Sequence, residues 1–155
     1  MNWDDYFLTI AETVRLKSKD PSTKVGAVIT GPEKQIISTG FNGFPRGVNE
    51  HAGYRWERPL KYKFVEHAER NAIYNAARHG TMLRGSTLYL VGMGPPTAPC
   101  IECTKAIIQS GIIRVVGSAF KPLTTGEGVP AWVDDLQFSL ELLKEAGVAF
   151  LEVYP

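Results

Sequence analysis

Two cysteines are all that the 155 residues contain, and they stand three positions apart, at Cys100 and Cys103. That spacing is too short to staple a fold, so a disulfide framework is excluded and a metal or redox pair is the better reading. Long apolar runs are lacking as well. No stretch approaches membrane-spanning length, and the opening Asn2-Trp3-Asp4-Asp5 has no apolar leader region. Free thiols without such a leader are expected in a reducing cytoplasm, away from any membrane. Charge of one sign is lacking too: 17 Lys and Arg against 16 Asp and Glu leave a formal net charge of +1. A polynucleotide partner would call for a basic stripe, so no nucleic acid polymer is expected. A small anionic ligand needs only two or three local cations. Repeats and low-complexity segments are absent. What is present, 44% apolar and 21% charged residues, suits a soluble globular protein, and the length suffices for one domain, 1–155, with its own core.

Hydrophobic periodicity sets out the elements. Trp3, Phe7, Leu8, Ile10, Ala11, Val14 and Leu16 form a helical stripe from about Asn2 to Lys19, stopped by Asp20-Pro21. Lys24 to Thr30 and Gln35 to Gly40 read as a strand hairpin around Gly31-Pro32. The loop Gly40-Phe41-Asn42-Gly43-Phe44-Pro45-Arg46-Gly47 is too rich in glycine for regular structure. Val48 to Tyr62 has no clear period and is expected to be an ordered excursion or a lid. Helices follow over His67–Arg78, Cys100–Ser110 and Trp132–Ala146, with Gly80, Gly111 and Gly147 placed to end them. Strands are predicted at Ser86–Val91, Ile112–Gly117 and Val148–Val153, with Gly92 to Pro96 a rigid connection. Strands and helices alternate after the hairpin, which predicts an α/β fold: a mixed sheet of about five strands with helices on both faces.

Chemistry concentrates in two short segments. Val65-Glu66-His67-Ala68-Glu69 places a histidine and a carboxylate two positions apart where a helix begins, and Pro99-Cys100-Ile101-Glu102-Cys103 opens another helix with two thiols. One imidazole and two thiolates suit Zn2+ with a fourth position left open, which lowers the pKa of a bound water to about 7. Glu69 need not ligate the metal and is free to carry protons. A helix N-terminus also favours the thiolate form. A thioredoxin-like redox pair would give His67 and Glu69 no role. A purely structural zinc site would ordinarily take a fourth protein ligand, for which His51 and His79 are the remaining histidines, both expected at the surface.

His-x-Glu followed by Pro-Cys-x-x-Cys resembles the signature of the zinc nucleoside deaminases. Adding Asp20-Pro21-Ser22-Thr23-Lys24-Val25-Gly26-Ala27-Val28, the loop Gly40–Gly47 and Cys103 to Ile112 narrows the resemblance to the deoxycytidylate (dCMP) deaminases of the cytidine/deoxycytidylate deaminase superfamily, over roughly Asp20 to Val116. The resemblance implies a cytidine-deaminase-like three-layer sandwich and hydrolysis of dCMP to dUMP and ammonia, a step toward thymidylate. It also implies a homo-oligomer (hexamer, or else dimer or tetramer) and control by dCTP and dTTP, with Mg2+ accompanying a triphosphate effector. It places His67, Cys100 and Cys103 on zinc, makes Glu69 the proton shuttle, sets Asn42 against the sugar or base edge and turns the backbone of Ala68 toward the pyrimidine. A 5′-phosphate calls for cations, hydroxyls and free backbone donors, and Ser22, Thr23 and Lys24 form such a cluster. Arg46, with Gly43 and Gly47, is a second candidate for substrate or effector phosphate. Phe120 is a candidate to stack near the base, and Trp132 with Asp134-Asp135 reads as an acidic helix start. Other substrates within the superfamily (guanine, cytidine or CMP, tRNA adenosine, a riboflavin precursor) and a catalytically silent zinc-binding regulator stay open. The chain has no cysteines left for the extra structural zinc found in some relatives.

Overall fold

The computed structural model describes residues 1–92, 97–118 and 132–154, the last segment with side chains from Asp135 onward. Phe120, the connecting residues 93–96 and the side chains of Trp132 and Asp134 lie outside the described residues.

Helix α1 spans Trp3–Arg15 and is capped by Asn2, whose side chain accepts the Asp5 amide at 2.8 Å. It buries Phe7, Leu8 and Ala11. Trp3, expected in that buried stripe, is 55% exposed, its ring lying over Phe7 and Tyr6 at 5.6 and 5.8 Å rather than in the core. Strands β1 (Gly26–Thr30) and β2 (Ile36–Phe41) form the expected antiparallel hairpin. The excursion then folds into two single 3-10 turns, Gly53–Trp56 and Leu60–Lys63. Helix α2 (Ala68–Arg78) follows, then β3 (Thr87–Val91), α3 (Ile101–Ser110), β4 (Arg114–Ser118), α4 (Trp132–Glu145) and β5 (Ala149–Val153).

The five strands form one mixed sheet in the order β2-β1-β3-β4-β5, antiparallel across β2/β1/β3 and parallel across β3/β4/β5. Alternate side chains of each inner strand feed different cores. Ala27, Ile29, Leu88, Leu90 and Val115 pack under α2, α3 and α4, while Val28, Tyr89, Val91 and Val116 pack under α1. Both faces of β1 are therefore covered, and all five of its residues are buried. The expected three layers are present. Asp4 locks α1 to the sheet, receiving both Arg114 guanidinium nitrogens at 2.9 and 2.7 Å and the Tyr89 hydroxyl at 2.9 Å.

Close contact between α2 and β2 carries the site. Ser38 Oγ donates to the Ala72 carbonyl at 2.8 Å, and the Asn71 and Asn75 amides donate to Phe41 O and Thr39 O at 2.8 and 2.6 Å. These two asparagines, one turn apart, satisfy edge-strand carbonyls that would otherwise stay open. Gly40 makes the approach feasible: a Cβ there would collide with the Ala68 carbonyl and the Ala72 amide, both backbone. Gly40→Ala is accordingly expected to cost about 1–3 kcal/mol or more, since neither backbone group yields as a side chain would. Thermal melting checks this, and an unchanged midpoint would contradict the packing argument.

Candidate active site

His67 and Cys100 are the N-cap residues of α2 and α3, so the two helices bring one ligand group each to a common point. Both have extended backbone and neither caps its helix with its side chain, which leaves imidazole and thiol free to face one another. Cys103, one turn into α3, completes the set and is buried. His67 Nδ1 lies 3.4 Å from Cys100 Sγ and 3.5 Å from Cys103 Sγ, and the three donor atoms all lie within 4.8 Å of one another. A tetrahedral zinc with Zn–S of about 2.3 Å and Zn–N of about 2.0–2.1 Å separates adjacent N and S donors by roughly 3.6 Å. The residues fit the ion. No other His, Cys, Asp or Glu joins this group among the described residues, and His51 and His79 are exposed as expected, so a fourth position is left to a non-protein ligand.

The electrostatics of the cluster agree with its chemistry. The Cys100 thiol is pulled down to about 4, first by its bond to Cys103 and then by His67, against the opposing effect of burial. The Cys103 thiol is pushed up by sharing its proton with Cys100 and by burial, and the His67 imidazole is raised by its bond to Cys100. Both shifts favour a single thiolate in the cluster, and a bound ion would take the remaining protons off.

Glu69 follows His67 on the first turn of α2 and is 1% exposed. Its Oε1 has no hydrogen-bond partner among the described residues, and burial pushes its carboxyl upward. An orphaned carboxylate oxygen in the interior costs on the order of 1–3 kcal/mol or more, so its persistence points to use. Ala68 is fully buried against β2. Glu66, not foreseen as important, accepts the His67 amide at 3.0 Å and the Arg70 guanidinium at 2.6 Å, and its backbone pairs in both directions with Gly43. Glu66 stands just before the N-cap of α2, and its spacing of four from Arg70 was legible in the sequence as an ion pair.

The cysteine segment is held from below. Thr97 donates its amide to Glu152 Oε1 at 3.0 Å and its hydroxyl to the Ser118 carbonyl at 2.9 Å. It crosses β4 at Gly117, where a Cβ would strike the Thr97 carbonyl.

On the substrate side the structure corrects the expectation of free donors at Ser22, Thr23 and Lys24. Asp20, 2% exposed, already fills that turn: its Oδ1 accepts the Ser22 amide at 2.9 Å, the Ser22 hydroxyl at 3.0 Å and the Thr23 amide at 3.1 Å. Lys24 turns its ammonium onto the Ser18 carbonyl at 2.6 Å. The cation that neutralises Asp20 comes from the excursion. Lys61, 4% exposed, reaches both carboxylate oxygens at 2.9 and 3.1 Å and Ser22 Oγ at 2.8 Å. Aspartate followed by Ser-Thr two and three positions on is a readable turn signal, whereas nothing local announces Lys61.

Asn42 is likewise engaged. Its Oδ1 accepts the Val25 amide at 2.8 Å, and its Nδ2 donates to Thr23 O at 2.8 Å and toward Asp20 Oδ2 at 3.4 Å. Both amide protons are committed, so only a lone pair of Oδ1 is left for a ligand. Arg46 is exposed and donates to Asn75 Oδ1 at 2.6 Å, Gly43 is buried in its bridge to Glu66, and Gly47 has φ +83° at the exposed end of the loop. The excursion is ordered by aromatic contact: Phe44 stacks on Trp56 at 4.2 Å and meets Phe64 at 5.4 Å.

Comparison with known proteins agrees with this geometry. The model of the cytidine and deoxycytidylate deaminase zinc-binding region matches residues 1–119. An uncharacterized deaminase in the luxG 3′ region of Aliivibrio fischeri is 40% identical over 146 residues, covering 94% of this chain and 90% of that protein. The deoxycytidylate deaminase of Homo sapiens is 34% identical over 161 residues, covering 100% of this chain and 82% of that protein. The crystal structure of the dCMP deaminase from the cyanophage S-TIM5 in complex with dCMP and dUMP superposes with a TM-score of 0.70 at 25% identity, over 96% of this chain and 95% of that one. With a His/Cys/Cys group that fits zinc and these relatives spanning nearly its whole length, the chain belongs to the cytidine and deoxycytidylate deaminase family, whose zinc-binding region it contains.

Proposed function

We propose that the chain deaminates dCMP hydrolytically, consuming one water and releasing dUMP and ammonia. The observation that carries this reading is the buried, unpartnered Oε1 of Glu69 beside the His67/Cys100/Cys103 triangle, in a chain 34% identical to a deoxycytidylate deaminase over its full length. His67, Cys100 and Cys103 would hold the zinc, which when bound supplies a water acidified to about pKa 7. Glu69 takes one proton of the attacking water on its carboxylate and delivers it to the ring nitrogen, then takes the remaining proton of the added hydroxyl and hands it to the amine as the C–N bond breaks and the new carbonyl forms. One carboxylate suffices because burial takes it out of bulk water and raises its basicity, so that it can both accept and return a proton. The backbone of Ala68 at the start of α2 supplies the nearby surface for the pyrimidine ring.

Assaying dCMP, CMP, dCTP, cytidine and guanine side by side tests the substrate. Ammonia release is expected to be fastest from dCMP; no turnover of dCMP sinks the reading. A silent zinc-binding regulator would release ammonia from none of them, and a buried carboxylate with an orphaned oxygen argues against it. Control by dCTP and dTTP, with Mg2+ on the triphosphate, and assembly into a hexamer belong to the same reading. Rates measured with each effector present, and light scattering, test them.

A further inference from the structure

Two cations beside the Ser22 turn lie in no ion pair among the described residues, Lys24 and Arg58. Asp20 and Lys61 cancel within their buried pair, and Lys24 spends one of its N–H donors on the Ser18 carbonyl. Arg58 offers the planar fork. It is exposed, no carboxylate lies within ion-pair distance of it among the described residues, and its hydrogen bond is a long one, from Nη2 to Ser22 Oγ at 3.4 Å. Ser22 Oγ has its own proton committed to Asp20 and is pinned by Lys61 at 2.8 Å, so it serves as a fixed acceptor that aims the guanidinium. At least three guanidinium N–H donors then point to solvent.

The turn that Arg58 touches is tied to the reacting centre by a chain of hydrogen bonds. The turn bearing Ser22 is joined through Thr23 O and the Val25 amide to Asn42. The next residue, Gly43, pairs with Glu66, which is bonded to the His67 amide. Arg58 therefore stands on the Asn42 side of the site, beyond a pair whose charge is already balanced. A planar, unpaired guanidinium held by a rigid acceptor matches a phosphate oxygen pair, and better than a lysine would.

We propose that Arg58, aimed by Ser22, recognises the 5′-phosphate of the substrate and sets the preference for a nucleotide over its nucleoside. This rests on the dCMP reading above. It replaces Thr23 and Lys24 with a residue from the excursion as the phosphate ligand and gives the excursion a role in substrate choice.

The test is steady-state kinetics of the zinc-loaded wild type, Arg58→Gln and Arg58→Lys with dCMP and with deoxycytidine. Arg58→Gln is expected to raise KM for dCMP about 10–100-fold, the loss of one charge-assisted bidentate contact, with kcat little changed and deoxycytidine turnover unaltered. Arg58→Lys should recover part of that loss, since it keeps the charge and gives up the fork. An unchanged KM for dCMP in Arg58→Gln overturns the proposal, as does an equal loss on dCMP and deoxycytidine. A change confined to the response to dCTP or dTTP also overturns it, by assigning Arg58 to an effector phosphate. A wild type that turns over dCMP while Arg58→Gln behaves identically removes only the role of Arg58. A wild type inert toward dCMP removes the functional reading itself, and this proposal with it.

Discussion

Glu69→Gln is expected to keep the metal and lose turnover by at least about 10²–10⁴-fold, the range that positioned proton transfer contributes. Glutamine preserves the volume and one carbonyl oxygen of a side chain that is 1% exposed, so the packing around α2 is kept. It cannot take up and return a proton. The candidate ligand atoms belong to His67, Cys100 and Cys103, and none of them is touched by the change, so zinc content should stay at wild-type level. Stability should be equal or higher, because the substitution removes a buried carboxylate whose Oε1 has no partner among the described residues. The three measurements belong together: metal analysis, thermal melting and dCMP turnover. Activity within tenfold of wild type would show that Glu69 is not the proton carrier. Lost zinc would show instead that the carboxylate helps to hold the ion.

Lys61→Met is the second large effect, and it falls on stability. The ammonium is 4% exposed and serves both oxygens of Asp20, itself 2% exposed. Removing one partner of a buried pair leaves the other charge stranded, which costs about 3–5 kcal/mol, far more than the net worth of the intact pair. For a chain of this length, each kcal/mol corresponds to roughly 2–4 °C in the midpoint. The sign with pH follows from Asp20. Burial pushes its carboxyl upward, but the bonds from the Ser22 amide, Lys61 and the Thr23 amide outweigh it, and the folded-state pKa lies below the ordinary value. A depressed carboxyl pKa stabilises the fold fully above the unfolded value of about 3.9 and loses that contribution as pH falls through the folded value. Without Lys61 the carboxylate is easier to protonate, and a protonated Asp20 no longer misses its cation. The stability gap between wild type and variant, read from urea unfolding between neutral pH and about pH 3.5, should therefore be widest near neutrality and shrink on acidification. A gap below about 1 kcal/mol at pH 7, or one that ignores pH, would mean that the pair is not what holds the excursion.

These two residues also mark what could and could not be read from the chain. Glu69 was visible as a candidate because the role proposed for it depends on local spacing: two positions after a histidine, at a helix start. Lys61 was not, because its partner stands 41 positions away and no periodicity links an irregular excursion to a turn before β1. The same division runs through the molecule. The sequence by itself determined the order and type of the elements, since alternation at two and repetition at 3.6 residues are local properties of the backbone. It also marked the candidate zinc ligands, because His67 and Cys100 each sit at the helix boundary that their neighbours dictate. Only the tertiary structure decided which polar groups stay available. Ser22 and Thr23 looked like free donors until Asp20 turned back on them, Lys24 was found to spend one donor on the Ser18 carbonyl, and Asn42 had its amide protons claimed by Thr23 and Asp20. The reason is that a hydrogen-bond donor is satisfied by whatever the fold brings within reach, and that partner is set by packing across the chain rather than along it.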